Sequence, residues 1–487
     1  MEGVKSVRRE NSGRPEAARS SLVSNVRPPA ASGGARSAAP EGGGRGAGFA
    51  RASAEPRQGA ARVILHTDIN SAYASMERVF NPKLRSRPVC ILSNNDGCIV
   101  ALTKDAKALG IKRGTPYFKV RALCEKKGVA VLSSNYELYD AMSRRFHRVV
   151  AGFGPVHEAY SIDEAFLDLT GMPEPPEAIG RAMKARVAQW LGLPVCGGIG
   201  PTKTLAKLCD HFAKTYPVFG GVVDWFSLSP ERRERALSIT PVREIWGVGP
   251  RTGEKLGAMG VRTALDFARM DASLVRARFG VVLERTLREI RGVACIPLEE
   301  KPVPKQQILR SRSFPAATAE KRAVLAAVST HMAEVARQLR REGSVARTAG
   351  VFFHTDPFKE DSPWFSAAPQ MRLVVPSADT LLLTHAACDL VERYWREGCR
   401  IKKAGAFATD LSGENEPVEA ESLFDVVDEE AITARKRLMT CLDELASRYG
   451  KNIWRVGSAV GADGWQMRRD RLTPQYLTNW ADIPKVG

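Results

Sequence analysis

Short runs of hydrophobic residues alternate with polar stretches along most of the chain, a pattern typical of buried strands joined by helices and turns. The first such run, residues 63–68, predicts a buried strand that ends on the acid Asp68. A helix is predicted over residues 71–80, with Asn70 as its cap and Asn81-Pro82 as its end. The next predicted elements are strands over 89–92 and 99–102 and a short helix over 104–109.

The rest of the chain predicts a further set of elements. Two strands, residues 160–162 and 166–169, are predicted to flank the acid pair Asp163-Glu164. Residues 240–263 predict two helices around Gly247-Val248-Gly249. The order βαββαβ, a split βαβ arrangement, is predicted for residues 306–411, with elements over 307–314, 319–341, 345–354, 371–375, 380–396 and 401–408. Residues after 411 give a less regular pattern.

Length and composition divide the chain into a folded body and an unusual N-terminal segment. The 487 residues suggest about three or four domains. Residues 1–61 are rich in Gly, Ala, Ser, Pro and Arg, and Phe49 is their one aromatic residue. Such a segment cannot bury enough apolar surface to offset its ordering entropy, so we predict that it is disordered. It is either a flexible basic arm or the result of a chain start assigned too far upstream.

The net charge and the cysteines indicate which kind of partner the protein binds and where in the cell it is found. The formal net charge is +18, of which residues 1–62 contribute +6 and the remainder +12. A basic excess of this size favours nucleic acid as a partner, with a solvated basic surface as the alternative. The sequence contains no apolar run of about 18 residues, so no membrane span is predicted. The N-terminal residues contain no apolar stretch typical of a secretion signal, so secretion is not expected. The nine cysteines contain no C-x-x-C pair, so we expect reduced cytoplasmic thiols rather than disulfides or a zinc site.

Three acids at predicted strand ends indicate metal-dependent phosphoryl transfer. Joining a 3′-hydroxyl to a nucleotide needs an ionised nucleophile and a stabilised phosphorus centre, which two divalent metals about 4 Å apart can supply. Asp68 closes the first strand, and Asp163-Glu164 stands between two strands that could pair beside it. The alternative is that the acid pair is an exposed turn and Asp68 a helix cap. Asp168 is expected to support the second strand.

Five motifs resemble those of Y-family DNA polymerases and stand in that family's order and spacing. Residues 68–77 (DINSAYASME), 160–166 (YSIDEAF) and 198–207 (GIGPTKTLAK) resemble its three general motifs. Residues 93–98 (SNNDGC) and 133–139 (SSNYELY) resemble the polymerase V subgroup in particular. The resemblance covers residues 62–487.

The resemblance implies an α+β multidomain protein with the right-hand architecture of a polymerase. It implies an error-prone, lesion-bypassing DNA polymerase that adds deoxynucleotides to a primer 3′ end in the SOS response, in the cytoplasm. The implied domains are a palm over 62–80 and 141–226, fingers over 81–140, a helical thumb over 227–298, the βαββαβ little finger over 299–411 and a partner-interaction region over 412–487.

The resemblance also assigns the metal site. Asp68, Asp163 and Glu164 match the family's catalytic carboxylates, and with the backbone carbonyl of Ile69 they are implied to hold two Mg²⁺ ions. Magnesium prefers oxygen ligands and takes few from protein when phosphate is present.

Four further residues match positions that contact the incoming nucleotide. Tyr73 is implied as the steric gate, a ring packed under the sugar where a 2′-hydroxyl would clash. Lys107 and Lys207 match positions that bind the triphosphate, where lysine serves as a mobile point charge. Lys104 departs from the family, in which many relatives carry an aromatic residue there, and is a weaker candidate.

Contacts to the DNA backbone are predicted in two places. Gly247 and Gly249 resemble the turn of a helix-hairpin-helix, whose backbone N–H groups approach a phosphate, with Arg251 beside them. Such a contact reads no sequence, as a polymerase requires. Arg310 and Arg312 leave one face of a predicted strand and are expected to meet the DNA backbone, although apolar residues share that face.

Relatives in the polymerase V subgroup work with a dimer of the processed accessory protein UmuD, with the RecA filament and with the sliding clamp. The resemblance implies these partners beside primer-template DNA and deoxynucleoside triphosphates. Clamp-binding peptides usually begin with Gln and end in Leu-Phe. Leu423-Phe424 keeps the second feature and lacks the first, so a hydrophobic anchor for the C-terminal segment is the alternative.

Two other functions compete with an active polymerase. A catalytically silent relative would act as a DNA-bound adaptor, but this chain keeps all three acids, which favours activity. A two-metal nuclease is the other class, and the sequence carries no nuclease motif.

Overall fold

The computed structural model describes residues 62–300, 304–359, 363–416, 429–450, 453–460, 467–477 and 479–483. The expectations for residues 1–61 and for Leu423-Phe424 fall outside these ranges. All nine cysteines are free thiols and five of them are buried. Among the described residues, no helix has both the length and the apolar character that a membrane crossing requires.

The described chain mixes strands and helices throughout, as predicted. The strands are β1 Ile64–Ile69, β2 Val89–Leu92, β3 Ile99–Leu102, β4 Ala130–Ser133, β5 Val156–Ala159, β6 Glu164–Asp168, β7 Val195–Gly200, β8 Val222–Asp224, β9 Gln307–Thr318, β10 Ser344–Thr355, β11 Ser366–Ala367, β12 Gln370–Ser377 and β13 Ile401–Gly413. The helices are α1 Ala72–Phe80, α2 Lys104–Ala108, α3 Tyr117–Lys126, α4 Tyr136–Val150, α5 Pro176–Leu191, α6 Lys203–Thr215, α7 Pro230–Ile239, α8 Pro250–Ala258, α9 Ala264–Arg269, α10 Ala272–Phe279, α11 Val281–Ile290, α12 Lys321–Arg341, α13 Thr380–Tyr394 and α14 Glu429–Tyr449.

A central sheet with the strand order β5-β6-β1-β7-β8 organises the first half of the chain. Leu65 and Ile69 on one face of β1 pack into the main hydrophobic core, where α4 and α5 contribute Phe146 and Met183. The other face of β1 lies against α6. Because successive side chains of a strand point to opposite faces, His66 and Asp68 lie on the face toward α6.

Helix α6 approaches the sheet closely at Gly198. A Cβ added to Gly198 would lie only 2.1 Å from the carbonyl oxygen of Ala206 and from the backbone nitrogen of Asp210. A side chain there would push α6 away, so this glycine of the third motif is required by close backbone packing. The residues of α6 that face β1 are thus held near His66 and Asp68.

A small sheet with the strand order β3-β2-β4 follows β1 and α1, with α2 and α3 beside it. The loop between β2 and β3 contains two successive non-glycine residues in the left-handed region, Asn95 at φ 60° and Asp96 at φ 50°. Asn and Asp tolerate this conformation better than other residues with a Cβ.

A helical region runs from α7 to α11 and joins the central sheet to the C-terminal half. The predicted helix before Gly247 is only a short 3₁₀ turn, Val242–Glu244, and the backbone is extended again at Ile245, with φ −70° and ψ 131°. Gly247 has φ 89°, which favours glycine, and Gly249 caps the N-terminus of α8.

The C-terminal half contains the predicted βαββαβ arrangement, here called the split sheet and formed by β9, α12, β10, β12, α13 and β13. Strand β13 lies between β9 and β10 and is antiparallel to both. Helices α12 and α13 bury one face of the sheet, where Val328 of α12 and Leu383 of α13 share a core with Phe353 of β10. The short strand β11 pairs with the outer part of β10 and was not predicted.

Three local predictions are corrected. The strand predicted over 160–162 is a turn, because Ser161 Oγ accepts from the backbone N–H of both Asp163 and Glu164, and β5 ends at Ala159. Asn70 does not cap α1, since Ser71 takes that position and the Asn70 side chain donates to Cys196 Sγ. The C-terminal part, expected to be irregular, contains the 21-residue helix α14.

Candidate active site

The three predicted acids lie together at one end of the central sheet. Asp68 on β1 stands directly opposite Glu164 on β6 in the antiparallel register. The backbone N–H of Ile69 donates to the carbonyl of Asp163 at 3.0 Å, which ties the turn before β6 to the end of β1. Asp68 and Glu164 share the face of the sheet that lies against α6.

Helix α6 supplies two lysines to these acids. Lys214 Nζ lies 2.8 Å from Asp68 Oδ1 and 2.6 Å from Asp210 Oδ2. Lys207 Nζ lies 2.7 Å from Glu164 Oε2. Two of the three predicted carboxylates therefore have a lysine partner in this structure.

A buried histidine connects the two ion pairs. His66 is 1% exposed, with Nδ1 3.5 Å from Asp210 Oδ2 and Nε2 3.8 Å from Glu164 Oε2. Burial alone would lower the pKa of His66, but the Asp210 and Glu164 carboxylates outweigh it and raise this pKa. The two carboxylates therefore favour the protonated form of His66, which lies between them.

Burial acts on all three acids in different ways. It raises the pKa of Asp68 to about 7, with Lys214 opposing the effect. It also raises the pKa of Asp163, whose carboxylate accepts a hydrogen bond from Ser161 Oγ at 2.7 Å. Burial would raise the pKa of Glu164 as well, but His66 and Lys207 lower it. Crowded, desolvated carboxylates of this kind are stabilised by a nearby cation.

The donor set fits Mg²⁺ in an open site. In the part of the chain that the structure describes, no three His, Cys, Asp or Glu side chains are already grouped as a metal site. Magnesium usually binds through one or two carboxylates and completes its shell with water and substrate phosphates. Asp68, Asp163 and Glu164 would supply hard oxygen ligands, and in this structure Lys207 contacts Glu164 and Lys214 contacts Asp68.

Removing Lys214 should make magnesium binding easier to detect. The substitution Lys214→Ala takes away the cation that contacts Asp68, so Mg²⁺ should raise the Tm of this variant by a few degrees more than that of the unaltered protein; about 1 kcal/mol of added binding corresponds to about 2–4 °C in a domain of ordinary size. Thermal unfolding with MgCl₂ against EDTA measures this. Lys184→Ala, which removes a lysine bound to the carbonyl of Gly220, is the matched control. An equal magnesium effect in both variants would contradict competition at Asp68.

Comparisons with known proteins place the site in a family. The impB/mucB/samB family matches residues 67–211, and the C-terminal domain of the same family matches residues 305–423. Protein ImpB of Salmonella typhimurium is 43% identical over 424 residues, which cover 86% of this chain and 98% of ImpB. The chain belongs to the impB/mucB/samB family.

A further relative and a solved structure agree with this membership. Protein UmuC of Salmonella typhimurium strain LT2 is 40% identical over 422 residues, covering 86% of this chain and 99% of UmuC. The Y-family DNA polymerase chimera Dbh-Dpo4(243-245)-Dbh has a TM-score of 0.58 at 18% identity and covers 72% of this chain and 99% of its own. The family member described here therefore has the fold of a Y-family DNA polymerase. A domain of unknown function, DUF4113, matches residues 436–486.

The four nucleotide-contact candidates lie on three helices: Tyr73 on α1, Lys104 and Lys107 on α2, and Lys207 on α6. Tyr73 on α1 is partly buried, and its ring stacks on Tyr139 with centroids 4.3 Å apart. Lys207 contacts Glu164, as described above. Lys104 and Lys107 are both exposed on α2, beside the small sheet. The structure thus brings Lys207 to the acids, while Lys104 and Lys107 belong to a separate part of the fold.

The residues predicted to contact DNA differ in their surroundings. Arg251 is exposed in the first turn of α8, next to Gly249. Arg310 and Arg312 lie on the helix-covered face of the split sheet, and the Arg310 guanidinium donates to the side-chain oxygen of Gln338 on α12. Their strand neighbours on β13, Ala406 and Ala404, are fully buried. Contact of these two arginines with the DNA backbone stays a prediction, and their place on the helix-covered face does not favour it.

The sequence reasoning missed His66, Asp210 and Lys214. A signal was present, because residues 203, 207, 210 and 214 recur at helical spacing and so share one face of α6. Four charged residues on a helix face that packs against a sheet predict a buried polar cluster. The same face carries the ion pair between Lys203 and Glu158, 2.6 Å apart and almost fully buried.

Proposed function

We propose that this chain is an error-prone, lesion-bypassing DNA polymerase of the UmuC type that extends a primer 3′ end by phosphoryl transfer with two Mg²⁺ ions. One observation carries the proposal: Asp68 and Glu164 stand opposite each other on neighbouring strands, with Asp163 at the adjacent turn. Carboxylates that stand opposite each other on neighbouring strands can share metal ions. Membership of the impB/mucB/samB family and the Y-family fold support the same reaction.

The parts of the fold then take the roles of a right-handed polymerase. The central sheet (62–80 and 141–226) is the palm, residues 81–140 are the fingers, 227–298 the thumb and 299–411 the little finger, followed by a partner-interaction region over 412–487. Asp68, Asp163, Glu164 and the carbonyl of Ile69 would hold magnesium. The metal, when bound, stabilises charge on the reacting phosphate and makes the 3′-hydroxyl more acidic.

The lysines of the site would bind the triphosphate. Lys207 already lies at Glu164, 2.7 Å from its carboxylate, so its side chain reaches the region where phosphate and metal would meet. Lys107, with Lys104 as the weaker candidate, would approach from the fingers. A lysine suits this task because its compact charge sits on a flexible stem and can change partner. Tyr73 would exclude ribonucleotides by packing under the sugar.

The open face of the split sheet is the better candidate for gripping duplex DNA. Lys403 on β13 alternates with the buried Ala404, so it lies on the face that α12 and α13 leave uncovered. Its Nζ lies 5.7 Å from the centre of the Phe352 ring, which belongs to the same face. The thumb turn at Gly247 and Gly249, with Arg251, would supply a second contact to phosphate.

Binding to primer-template DNA should therefore depend on salt and little on sequence. Each phosphate contact releases counterions, so Lys403→Ala should lower the slope of log K against log salt by about 1. Lys321→Ala removes a lysine from the helix-covered side, where it pairs with Glu392 at 2.7 Å, and should leave the slope unchanged. Fluorescence anisotropy over a salt series measures both. Equal slopes for the two variants would move the DNA surface away from the open face.

Primer extension with the purified chain, magnesium and a templated primer tests the proposal as a whole. Stepwise lengthening of the primer supports the polymerase. Binding of DNA without any change in primer length supports a silent adaptor, and shortening of the primer supports a two-metal nuclease. A template with an abasic site then tests lesion bypass.

The cellular setting follows from the similarity to UmuC. We infer a cytoplasmic enzyme of the SOS response that works with a processed UmuD dimer, the RecA filament and the sliding clamp. Stimulation of primer extension on adding each of these proteins in turn is the measurement, and a rate that none of them changes would contradict the inference.

A further inference from the structure

The two polymerase V-like motifs, residues 93–98 and 133–139, are not explained by the chemistry of the acids. In the structure both bind one segment near the C-terminus, residues 467–477, here called the strap. The backbone N–H of Arg468 donates to Asn95 Oδ1 at 3.0 Å, and that of Asp470 donates to Asp96 Oδ2 at 3.0 Å. The left-handed backbone of Asn95 and Asp96 thus presents both side chains to the strap.

The second motif binds the next part of the strap. The N–H of Ser133 donates to the carbonyl of Arg471, and the N–H of Arg471 donates to Ser133 Oγ, both at 3.0 Å. Asn135 is fully buried, and its Nδ2 donates to Thr473 Oγ1 at 2.9 Å and to the carbonyl of Pro474 at 3.2 Å. Backbone and side-chain groups of the motif are therefore committed to this segment.

A buried carboxylate continues the contact toward Tyr73. Glu77 on α1 is fully buried, and its Oε1 accepts from Thr473 Oγ1 at 3.2 Å and from the Tyr139 hydroxyl at 2.8 Å. The Tyr139 ring stacks on Tyr73 with an angle of 11° between the planes. Strap, Glu77, Tyr139 and Tyr73 thus form one continuous chain of contacts.

Helix α14, which precedes the strap in the chain, is attached to the split sheet. Asp443 on α14 pairs with Arg340 of α12 at 2.7 Å, and Arg435 pairs with Asp379, at the start of α13, at 2.9 Å. Helix α14 is thus fixed to the split sheet, and the strap is fixed to the two motifs. Residues 436–486 span both attachments.

We propose that residues 467–477 are a strap that binds the two motifs of the fingers and, through Glu77 and Tyr139, positions the Tyr73 ring for sugar selection. The second half of this statement rests on the proposed role of Tyr73 as steric gate. Thr473, Asn135 and Glu77 are positioning residues, because they act on the nucleotide through Tyr139 and Tyr73. The strap gives residues of the DUF4113 match a function in the polymerase itself.

Asn135→Asp is the sharpest variant for this test. Asn135 Oδ1 also accepts from the N–H of Leu138 and so caps α4, and aspartate is an equally good cap. The same change replaces the amide donor with a carboxylate that faces the oxygens of Thr473 and Pro474. The strap should therefore be released while α4 stays folded. Thr473→Val removes the hydroxyl that links the strap to Glu77 without adding charge.

Two measurements on the full chain decide the matter. Hydrogen exchange of the peptide that contains residues 467–474 should be slow in the unaltered protein and at least about tenfold faster in Asn135→Asp. Single-nucleotide incorporation should show the preference for deoxynucleotides over ribonucleotides falling severalfold in both variants. Thr440→Val, whose hydroxyl bonds within α14 to the carbonyl of Lys436, should change neither.

Each outcome separates the two parts of the proposal. If the strap of the unaltered protein exchanges as fast as an unstructured peptide, the docking of the strap is overturned. If the strap stays protected from exchange in both variants, Asn135 and Thr473 are overturned as its contacts. A released strap with unchanged sugar preference overturns the positioning of Tyr73. If Tyr73→Ala also leaves the preference unchanged, the steric gate of the proposed function has failed, and the exchange result still judges the docking.

Discussion

Glu164→Gln and Asp163→Asn should each reduce nucleotide addition by at least about a thousandfold, since a metal-held phosphoryl group gains several kcal/mol of transition-state stabilisation. Both substitutions keep the size of the side chain and remove its charge. Glu164 stands opposite Asp68, so the loss of either charge leaves too few carboxylate oxygens to hold two metal ions. Single-turnover primer extension in magnesium measures the effect.

The fold itself should survive these changes. Burial raises the pKa of Asp163, so its ionised form costs free energy in the folded protein at neutral pH, and Asp163→Asn in EDTA should melt at or above the temperature of the unaltered protein. Binding of primer-template DNA should stay within about threefold, because phosphate contacts elsewhere carry it. A loss of activity with stability and binding intact is the expected signature of a catalytic acid.

Asp168 provides the matched control on the same strand. It lies at the opposite end of β6, paired with Ile64, and its carboxylate accepts from the backbone N–H of Thr170 at 2.9 Å. Asp168→Asn should therefore lower stability slightly, by about 1 kcal/mol or less, and leave extension within about threefold, since it removes the charge that strengthens one local hydrogen bond and pairs with Arg62. Near-normal extension by both Glu164→Gln and Asp163→Asn would refute the assignment of the acids.

Much of the fold could be predicted because its elements are encoded locally. The run at residues 63–68 is apolar enough to specify β1, and the helical and strand periods over 306–411 specify the split sheet. For the acid pair, the sequence indicates only that its strands could pair beside the strand of Asp68. The register that sets Asp68 against Glu164 joins residues about a hundred positions apart. Strand pairing of this kind depends on the whole sheet rather than on either segment.

The parts that were missed depend on contacts between distant segments. Residues 467–477 have no hydrophobic period, and their partners, such as Asn135 for Thr473, lie 338 positions away. Helix α14 is dominated by charge, and Met439 and Ala446 are its buried apolar residues among those described. Arg310 and Arg312 carried the correct charge for a DNA contact, but strand parity places them with the buried Ile308 and Phe314. Charge alone therefore could not identify the DNA-facing surface.

Tyr73→Ala should increase the incorporation of ribonucleotides relative to deoxynucleotides by at least about tenfold, because the ring that would meet a 2′-hydroxyl is removed. The Tyr73 ring stacks on Tyr139 at 4.3 Å and meets the edge of Tyr136 at 6.3 Å, so it is held in one orientation by its neighbours. A ring fixed in this way can reject an added oxygen, whereas a freely rotating side chain would yield to it.

The hydroxyl of Tyr73 should contribute little to this selection, since exclusion by shape needs the ring and not the polar group. Tyr73→Phe is thus the control: it keeps the ring on Tyr139 and should retain the preference for deoxynucleotides. Competition between a ribonucleotide and the matching deoxynucleotide on one templated primer gives the ratio directly. DNA synthesis by Tyr73→Ala should continue at a reduced rate, because the proposed magnesium ligands are unchanged. A preference for deoxynucleotides that is the same in Tyr73→Ala and Tyr73→Phe would place the gate at another residue.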